Sequence, residues 1–263
     1  MKSYKIIAVA SSNISEMGVF CVKDKKADGA IAKADFLIKP CNSDLRLQIA
    51  VDQSGKQLGF IEYTPSEKAW RPVAAENYLF IHCIALFVKE ARHQGVGTAL
   101  LHSCEQDARM NKKSGVCVMT SAGPWMADEA LFERNGYTQV DALGRFQLMA
   151  KRFCDKGPIP KLVNWQKQLS KYKGWNLVYA NQCPWHKKSI EALQRVAERH
   201  DVDLKVRELG THKDAQKAPS GFGVYSLIRD GRLLEDHYLS ATRFENILKK
   251  ELQASLCQNP DLD

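Results

Sequence analysis

The sequence predicts an α+β (α/β) protein in which a mixed sheet flanked by helices is followed by a smaller α/β domain. The 263 residues suit two modest domains better than one. Gly157-Pro158-Ile159-Pro160 continues neither a helix nor a central strand. The order of predicted elements also changes there, from strands around one long helix to β-α-β followed by β-β-α. We therefore expect a first domain at 1–153, a linker at 154–174 and a second domain at 175–263.

Apolar patterning in the first part predicts one principal helix among strands. In order, it predicts a first strand near the N-terminus, a hairpin of strands 45–51 and 58–63, a central strand 78–88, a helix 94–110, a buried strand 116–119, a short helix 128–134 capped by Asn135-Gly136, and a hairpin over 137–153 that turns at Leu143-Gly144. No further long helix is expected in this part.

After residue 160 the pattern changes. Leu162, Trp165, Leu169 and Tyr172 recur at helical spacing and predict a short amphipathic helix that Gly174 ends. The remainder predicts a strand 175–180, a helix 185–200, a strand 204–209, a hairpin of strands 224–228 and 233–238 around Asp230-Gly231, and a final helix containing Phe244, Ile247, Leu248 and Leu252.

Charge and composition favour a protein that acts on small molecules. The net charge of +8 is spread evenly, with 20 basic and 16 acidic residues up to position 152 and 18 and 14 after it. Because no basic arm or tail concentrates this charge, nucleic acid is not an expected partner. No apolar stretch reaches 18 residues, so no membrane partner is expected. The eight cysteines lack Cys-x-x-Cys spacing, which indicates buried thiols in a cytoplasmic, reducing compartment and predicts no metal site.

The most informative segment joins the central strand to the long helix. It contains the pattern Arg92-x-x-Gly95-x-Gly97, with His93, Gln94, Val96 and Thr98 around it. Glycines let the backbone turn tightly and approach a ligand, and the free amides of a helix N-terminus bind pyrophosphate. A Rossmann loop would need a third glycine where Leu100 stands, and a Walker loop would need Gly-Lys-Ser/Thr.

This loop resembles the coenzyme A pyrophosphate loop of the GNAT acetyltransferase superfamily. A second similarity is Leu131-Phe-Glu-Arg-Asn-Gly-Tyr137, which follows in the expected order. The resemblance implies acetyl-CoA as cosubstrate. It implies that the central strand, through Leu86, Phe87 and Val88, offers backbone groups to the pantetheine arm, and that the residues around the glycines bind the pyrophosphate: Arg92, His93, Gln94, Gly95, Val96, Gly97 and Thr98.

Acetyl transfer to an amine requires a base, for which we name Glu62 and His82. Each has a structural alternative: Glu62 as an outward strand residue and His82 as a core histidine with satisfied hydrogen bonds. The family's general acid is a tyrosine, yet Phe132 occupies its position and Tyr137 falls on a packing position. The general acid therefore stays open.

The second domain contains Asn181-Gln-Cys183-Pro-Trp-His186 where a strand becomes a helix. A helix N-terminus lowers a thiol pKa, which makes Cys183 a possible reactive thiol. The element order with Cys-Pro resembles the thioredoxin fold, in which Pro219 would match a cis-proline. His186 replaces the second cysteine of a dithiol motif, however. Together with Trp-Arg-Pro-Val (70–73) and Ile-His-Cys-Ile (81–84), the chain resembles the YoaP-type GNAT proteins, which end in a YoaP-like domain.

We expect an acyltransferase that acetylates the amine of a small molecule or peptide by direct attack. Two other functions stay open: a non-catalytic acyl-CoA or thiol-reactive sensor, and a monothiol redox protein that uses Cys183. Segments 13–43 and 64–77 are the expected wall of the acceptor pocket. The oligomeric state cannot be derived from the sequence.

Overall fold

A seven-stranded mixed sheet forms the larger part of the protein. The computed structural model describes residues 4–86, 88, 91, 94–154 and 157–258. The strand order is β1-β2-β3-β5-β6-β8-β7, and every neighbouring pair is antiparallel except β5 and β6. The strands are β1 (Tyr4–Val9), β2 (Arg46–Asp52), β3 (Gln57–Pro65), β5 (Tyr78–Leu86), β6 (Gly115–Thr120), β7 (Thr138–Leu143) and β8 (Phe146–Arg152), with β4 (Val73–Ala74) outside this sheet. Both predicted hairpins and the central strand are confirmed.

Helices cover both faces of this sheet. They are α1 (Ile14–Met17), α2 (Asp28–Ile38), α3 (Val96–Met110) and α4 (Glu129–Arg134). The predicted apolar stripe of α3, which includes Leu100 and Cys104, packs against Ile81 and Val118 of the sheet in one buried cluster. Helix α2 contributes Phe36 to a second cluster. The prediction for 13–43 contained no helix, because the apolar residues of α2 show only weak helical periodicity and its second residue is Gly29.

The two parallel strands part near their middle. Their pairing runs from Tyr78–Gly115 to Ile81–Val118, after which β5 continues to Leu86 beside β3 alone. At the same point β3 and β5 shift register, because Glu62 pairs with Cys83 and Tyr63 pairs with Ile81. His82 is therefore the extra residue of a β-bulge. Such bulges bend a strand and redirect side chains, and here the bulge opens a cleft between β5 and β6.

A four-stranded sheet follows after a short connection. Its order is β11-β10-β12-β13, with β10 and β11 parallel and the other pairs antiparallel. Its elements are β10 (Trp175–Tyr179), α6 (Trp185–Arg199), β11 (Leu204–Glu208), α7 (His212–Ala215), β12 (Tyr225–Arg229), β13 (Arg232–Glu235) and α8 (Ala241–Gln258). The predicted Asp-Gly hairpin is confirmed, since both Asp230 and Gly231 adopt positive φ. No described peptide bond is cis, so the expectation of a cis-proline at Pro219 is wrong.

The connection differs from the predicted amphipathic helix. Helix α5 covers only Gln166–Leu169, and Leu162 belongs to the short strand β9 (Lys161–Leu162), which pairs with β4. Trp165 is buried edge-on against Phe146 of the large sheet, with ring centroids 5.5 Å apart. Strand pairing and tryptophan burial thus prevent one continuous helix.

One hydrophobic core joins the two sheets. Trp70, Phe80 and Phe146 from the first part share it with Leu177 and Phe222 from the second. Helix α2 packs against α6, and a Cβ on Gly29 would collide with the carbonyl oxygen of Pro184, so a glycine is needed for this close approach. The second part is therefore fixed directly beside the cleft of the first. Within the described chain, no helix combines the length and apolar character that crossing a membrane requires.

Candidate functional site

The glycine loop, which we define as residues 94–98, has the geometry of an anion-binding helix start. Gly95 caps α3 with φ of 77°, a left-handed conformation that favours glycine. Among the described residues, the first backbone hydrogen bond of α3 runs from the Ala99 amide to the Gly95 carbonyl oxygen, at 2.9 Å. Among the described residues, none accepts a hydrogen bond from the backbone amides of 94–98. No described residue therefore competes with a ligand for these amides, and the helix dipole adds positive potential.

The predicted cofactor-binding residues fall into two groups. Leu86 ends β5, Val88 follows it, and Gln94 to Thr98 form the loop and first turn of α3. Phe87, Arg92 and His93 lie outside the described residues. The described atoms nearest to a Cβ on Gly97 would be side-chain atoms of Leu131 and Leu86, at 3.6 Å or more, which is ordinary contact. Protein packing thus does not explain this glycine, whereas close approach of a ligand would.

A central cavity of about 370 Å³ lies where β5 and β6 part. Its walls come from both parts of the chain, including the start of α6. Most of the lining is apolar, as the following side chains show: Val19, Phe60, Ile84, Met126, Pro184, Trp185 and Phe222. The polar lining consists of Lys33, Glu62, Arg71, His82, Gln182 and three cysteines. An apolar pocket with a few convergent polar groups is the usual form of a small-molecule site.

Glu62 is the centre of the polar groups. It is 1% exposed and forms an ion pair with the equally buried Lys33 of α2. Its Oε1 accepts a hydrogen bond of 2.7 Å from Gln182 Nε2, which belongs to the second part of the chain. The outward-facing alternative for Glu62 is therefore wrong. A buried carboxylate needs such partners, since an unpaired one would be costly.

His82 is held by the bulge of β5. Its Nε2 accepts a hydrogen bond of 2.8 Å from the Trp70 amide, so the neutral ring carries its proton on Nδ1. Nδ1 lies 4.0 Å from Glu62 Oε1, and no described residue is hydrogen-bonded to it. Burial, followed by the nearby charges of Arg71 and Lys33, holds the pKa of His82 well below its usual value. His82 is thus a neutral imidazole whose Nδ1 donor lies near the carboxylate and has no acceptor among the described residues.

Arg71 brings a second buried cation to the cavity. It is 4% exposed, donates a hydrogen bond through Nη1 to the Phe222 carbonyl oxygen, and stacks 4.4 Å from the centroid of the Phe222 ring. Burial lowers its pKa to about 10, and the nearby anionic groups counteract part of that effect. Arg71 therefore stays charged at neutral pH.

Three thiols, those of Cys21, Cys83 and Cys183, converge on the cavity although they are far apart in sequence. Burial raises the pKa of Cys83 to about 12 and that of Cys183 to about 11, and it raises the pKa of Cys21 well above its usual value. The Trp185 amide lowers the pKa of Cys183 by less than burial raises it. The expected lowering at the helix start is therefore wrong, because desolvation of the thiolate dominates.

Phe132 and Tyr137 lie away from the cavity, in the core beneath α3. They pack against each other at 5.5 Å in an edge arrangement, and both are buried. Burial raises the pKa of Tyr137 well above its usual value. Its packing role, expected from the sequence, is confirmed. Within the described part of the chain, no group of three or more His, Cys, Asp or Glu side chains has the arrangement of a metal site.

Sequence reasoning missed three residues of the site: Lys33, Arg71 and Gln182. The segments 13–43 and 64–77 supply Lys33 and Arg71 to the cavity lining, and their role as an acceptor wall stays a prediction. Arg71 and Gln182 stand inside the motifs that carry the YoaP resemblance, and that position was the available signal. Lys33 has no local signal, because a lysine on a helix is ordinarily exposed.

Comparison with known proteins defines the class. A family profile described as an acetyltransferase (GNAT) domain matches residues 44–139. The chain is 30% identical over 193 residues to the uncharacterized N-acetyltransferase YoaP of Bacillus subtilis, an alignment that covers 72% of this chain and 76% of YoaP. The chain therefore belongs to the GNAT N-acetyltransferase family and is an enzyme of that type.

Solved structures with a similar fold include two with a bound coenzyme. The GNAT acetyltransferase YhbS of Escherichia coli, in complex with CoA, is 14% identical, with 62% of this chain and 91% of that chain covered and a TM-score of 0.42. A GNAT acetyltransferase of Brucella melitensis, in complex with acetyl-CoA, is 13% identical, with 60% and 94% covered and a TM-score of 0.38.

Proposed function

We propose that this protein transfers the acetyl group of acetyl-CoA to the amine of a small molecule bound in the central cavity. The observation that carries the proposal is the position of Glu62, a buried carboxylate with one partner on each oxygen, beside the point where β5 and β6 part. The glycine loop presents backbone amides at the N-terminus of α3 that no described residue accepts from, which fits a pyrophosphate. The two features suit the two substrates of one transfer reaction.

Bound acetyl-CoA supplies an acetyl thioester, whose carbonyl carbon the neutral amine attacks. Glu62 binds the incoming ammonium group and takes its first proton, directly or through water. As the N–C bond forms and the C–S bond breaks, the second amine proton passes to the sulfur, so the products are an N-acetyl compound and the thiol. This route needs no tyrosine acid, which fits Phe132 at the family's usual position.

We assign His82 a positioning role instead of the base role considered from sequence. Its Nε2 lone pair is engaged by the Trp70 amide, and Nδ1 carries the proton that faces Glu62. A neutral imidazole in this state cannot take a proton at Nδ1. Its N–H dipole, 4.0 Å from Oε1, can instead attract the carboxylate, which the Gln182 amide holds by a hydrogen bond to the same oxygen.

We propose that the C-terminal part, residues 175–263, is a thioredoxin-like domain that has become a wall of the acceptor site. Its strand order β11-β10-β12-β13, with one parallel pair, supports that relation. The start of α6 supplies Gln182, Cys183 and Trp185 to the cavity. The raised pKa values of the three thiols argue against the sensor and monothiol redox functions. Free thiols also fit a cytoplasmic location.

Titration calorimetry with acetyl-CoA tests the first half of the proposal. We expect saturable 1:1 binding, weakened by Gly97→Ala, because the added methyl narrows the space at the start of α3 where the proposed pyrophosphate site lies, while Leu86 and Leu131 leave room for it. Absence of binding at millimolar acetyl-CoA would remove the proposal. Release of free CoA with an amine library then tests transfer. Binding without release for any amine would favour a sensor.

A further inference from the structure

The buried charges of the central cavity do not balance. Lys33 and Arg71 are cations, and Glu62 is the one carboxylate in the described lining. The Lys33–Glu62 ion pair is neutral, and the side chains of His82 and the three thiols are uncharged at neutral pH. The charge of Arg71 is left over.

One further anion, Asp236, acts on Arg71 but does not offset this charge, because it has its own partner. Asp236 acts on Arg71 at a distance but binds Arg145 through two hydrogen bonds, of 2.6 and 3.3 Å. The contacts of Arg71 itself are the Phe222 carbonyl oxygen and ring. A guanidinium taken out of water in this way is costly unless an anion pairs with it.

The cleft beside the cavity also carries positive charge. A neighbouring cleft of about 1100 Å³ shares Cys21 and Trp185 with the cavity and therefore adjoins it. Lys23, Lys25 and Lys56 line this cleft, and none of its described lining residues is Asp or Glu. Such a cleft attracts anions and raises their local concentration.

The remaining walls are apolar. Phe60, Ile84, Met126, Pro184 and Trp185 leave room for a hydrocarbon group beside the charged residues. The cavity thus combines a carboxylate that stays paired with Lys33 and can accept a hydrogen bond from an amine, a guanidinium that has no anion of its own among the described residues, and a hydrophobic surface.

From this combination we infer that the acceptor is an apolar amino acid or a close analogue, with its amine at Glu62 and its carboxylate at Arg71. The inference rests on the proposed transferase function and adds the acceptor class to it. An amine that carries no anionic group leaves the Arg71 charge without a counterion. An amine with several positive charges is also repelled by the lysines of the cleft.

Binding of product analogues to the protein saturated with CoA tests this inference by calorimetry. The probes are N-acetylated leucine, methionine and phenylalanine, each compared with its carboxamide, which lacks only the negative charge. We expect the carboxylate of at least one pair to bind roughly 10- to 100-fold more tightly, the range for a charge-assisted hydrogen-bonded pair. In a parallel assay, kcat/KM for the free amino acid should exceed that for its amide by a similar factor.

Two variants separate Arg71 from general effects of charge. Arg71→Met keeps much of the apolar stem against Phe222 and should bring the carboxylate-to-amide ratio close to one. Lys68→Met removes a cation that pairs with Asp44 outside the cavity and should leave the ratio unchanged. Thermal unfolding with bound CoA shows whether both variants are folded. Should Arg71→Met not fold, Arg71→Lys retains the charge without the planar fork and should give an intermediate ratio.

The outcomes separate the inference from the function on which it rests. Equal or tighter binding of the carboxamides, or no binding of any probe by a protein that binds CoA, overturns the inference. Acetylation of neutral amines in preference to amino acids also overturns it while the transferase function stands. Failure to bind acetyl-CoA removes the transferase function itself.

Discussion

The glycine loop and the central cavity are built in different ways, one from the backbone and the other from side chains. The loop is a run of adjacent residues whose backbone amides we propose as the binding groups, and Gly95 and Gly97 place no side chain there. The cavity is made of side chains from α2, β3, β5, the segment before β4 and the start of α6. A backbone site depends on local conformation, whereas a side-chain site depends on how separate elements pack. Mutations should therefore separate coenzyme binding from acceptor chemistry.

The largest difference between the effect on catalysis and the effect on acetyl-CoA binding is expected at Glu62. Glu62→Gln should lower kcat/KM by about 10²–10⁴-fold, because it removes the base. The dissociation constant for acetyl-CoA should stay the same, since the loop amides are untouched. Glu133→Gln on the surface of α4 is the matched control and should change neither quantity.

Removing Glu62 also leaves Lys33 buried without its partner, at a cost of about 3 kcal/mol in the free energy of unfolding. The double variant Lys33→Met/Glu62→Gln removes both charges and should recover stability without recovering activity. If the double variant acetylates amines at the wild-type rate, Glu62 is not the base.

Thiol labelling examines the chemistry of the cavity. The raised pKa of about 11 for Cys183, against 9.0 for an ordinary thiol, reduces its thiolate fraction at pH 7 by about 100-fold. Iodoacetamide should therefore label the exposed Cys154 first, and labelling of Cys183 should increase as the pH rises towards 11. Peptide mass spectrometry measures both rates. Labelling of Cys183 at pH 7 as fast as that of Cys154 would instead favour a thiol-based function.

The glycine loop is tested by comparing Gly95 with Gly55, since both residues have a positive φ. Gly95→Ala and Gly55→Ala both place a side chain at positive φ, with no protein atom within 4 Å, and each should cost about 1 kcal/mol of stability. Gly95→Ala should also weaken acetyl-CoA binding roughly 10-fold or more, because the amides shift. Gly55→Ala, in a hairpin turn, should not. An equal effect of both on affinity would show that strain alone is responsible.

The smallest effect is expected at the contact between the two parts of the chain. Gln182→Ala removes the donor to Glu62 Oε1 and should lower kcat/KM about tenfold with unchanged acetyl-CoA affinity. Gln216→Ala is the control, since Gln216 also connects the two parts, by a 2.9 Å bond to the Glu67 carbonyl oxygen outside the cavity. Steady-state kinetics with both variants tests this difference. Equal losses of kcat/KM would show that any hydrogen bond between the two parts has this effect, and that the bond to Glu62 is not special.

Most strands and the long helices were predictable because each has a local pattern. Alternating apolar residues, the Asp230-Gly231 turn and the apolar stripe of α3 identify their elements without any distant contact. Helix α2 and the short extent of helix α5 were not predictable from sequence, because burial against other elements decides their structure. Weak local patterns are routinely overridden by tertiary packing.

The cavity was only partly predictable for the same reason. Glu62 and His82 were candidates because their residue types suit proton transfer, yet their different environments follow from the bulge of β5 and from Trp70. The lowered pKa expected for Cys183 came from its position before a helix, and burial in the cavity reversed that expectation.

By itself the sequence determined the GNAT-like order of elements, the conformation of the glycine loop and the break between the two sheets. These features depend on residues that are neighbours in the chain, where glycine, proline and apolar spacing act locally. The tertiary structure alone decided that Lys33, Glu62, Arg71 and Gln182 meet in one cavity. Burial and charge balance depend on which surfaces the core brings together, and no local pattern encodes that.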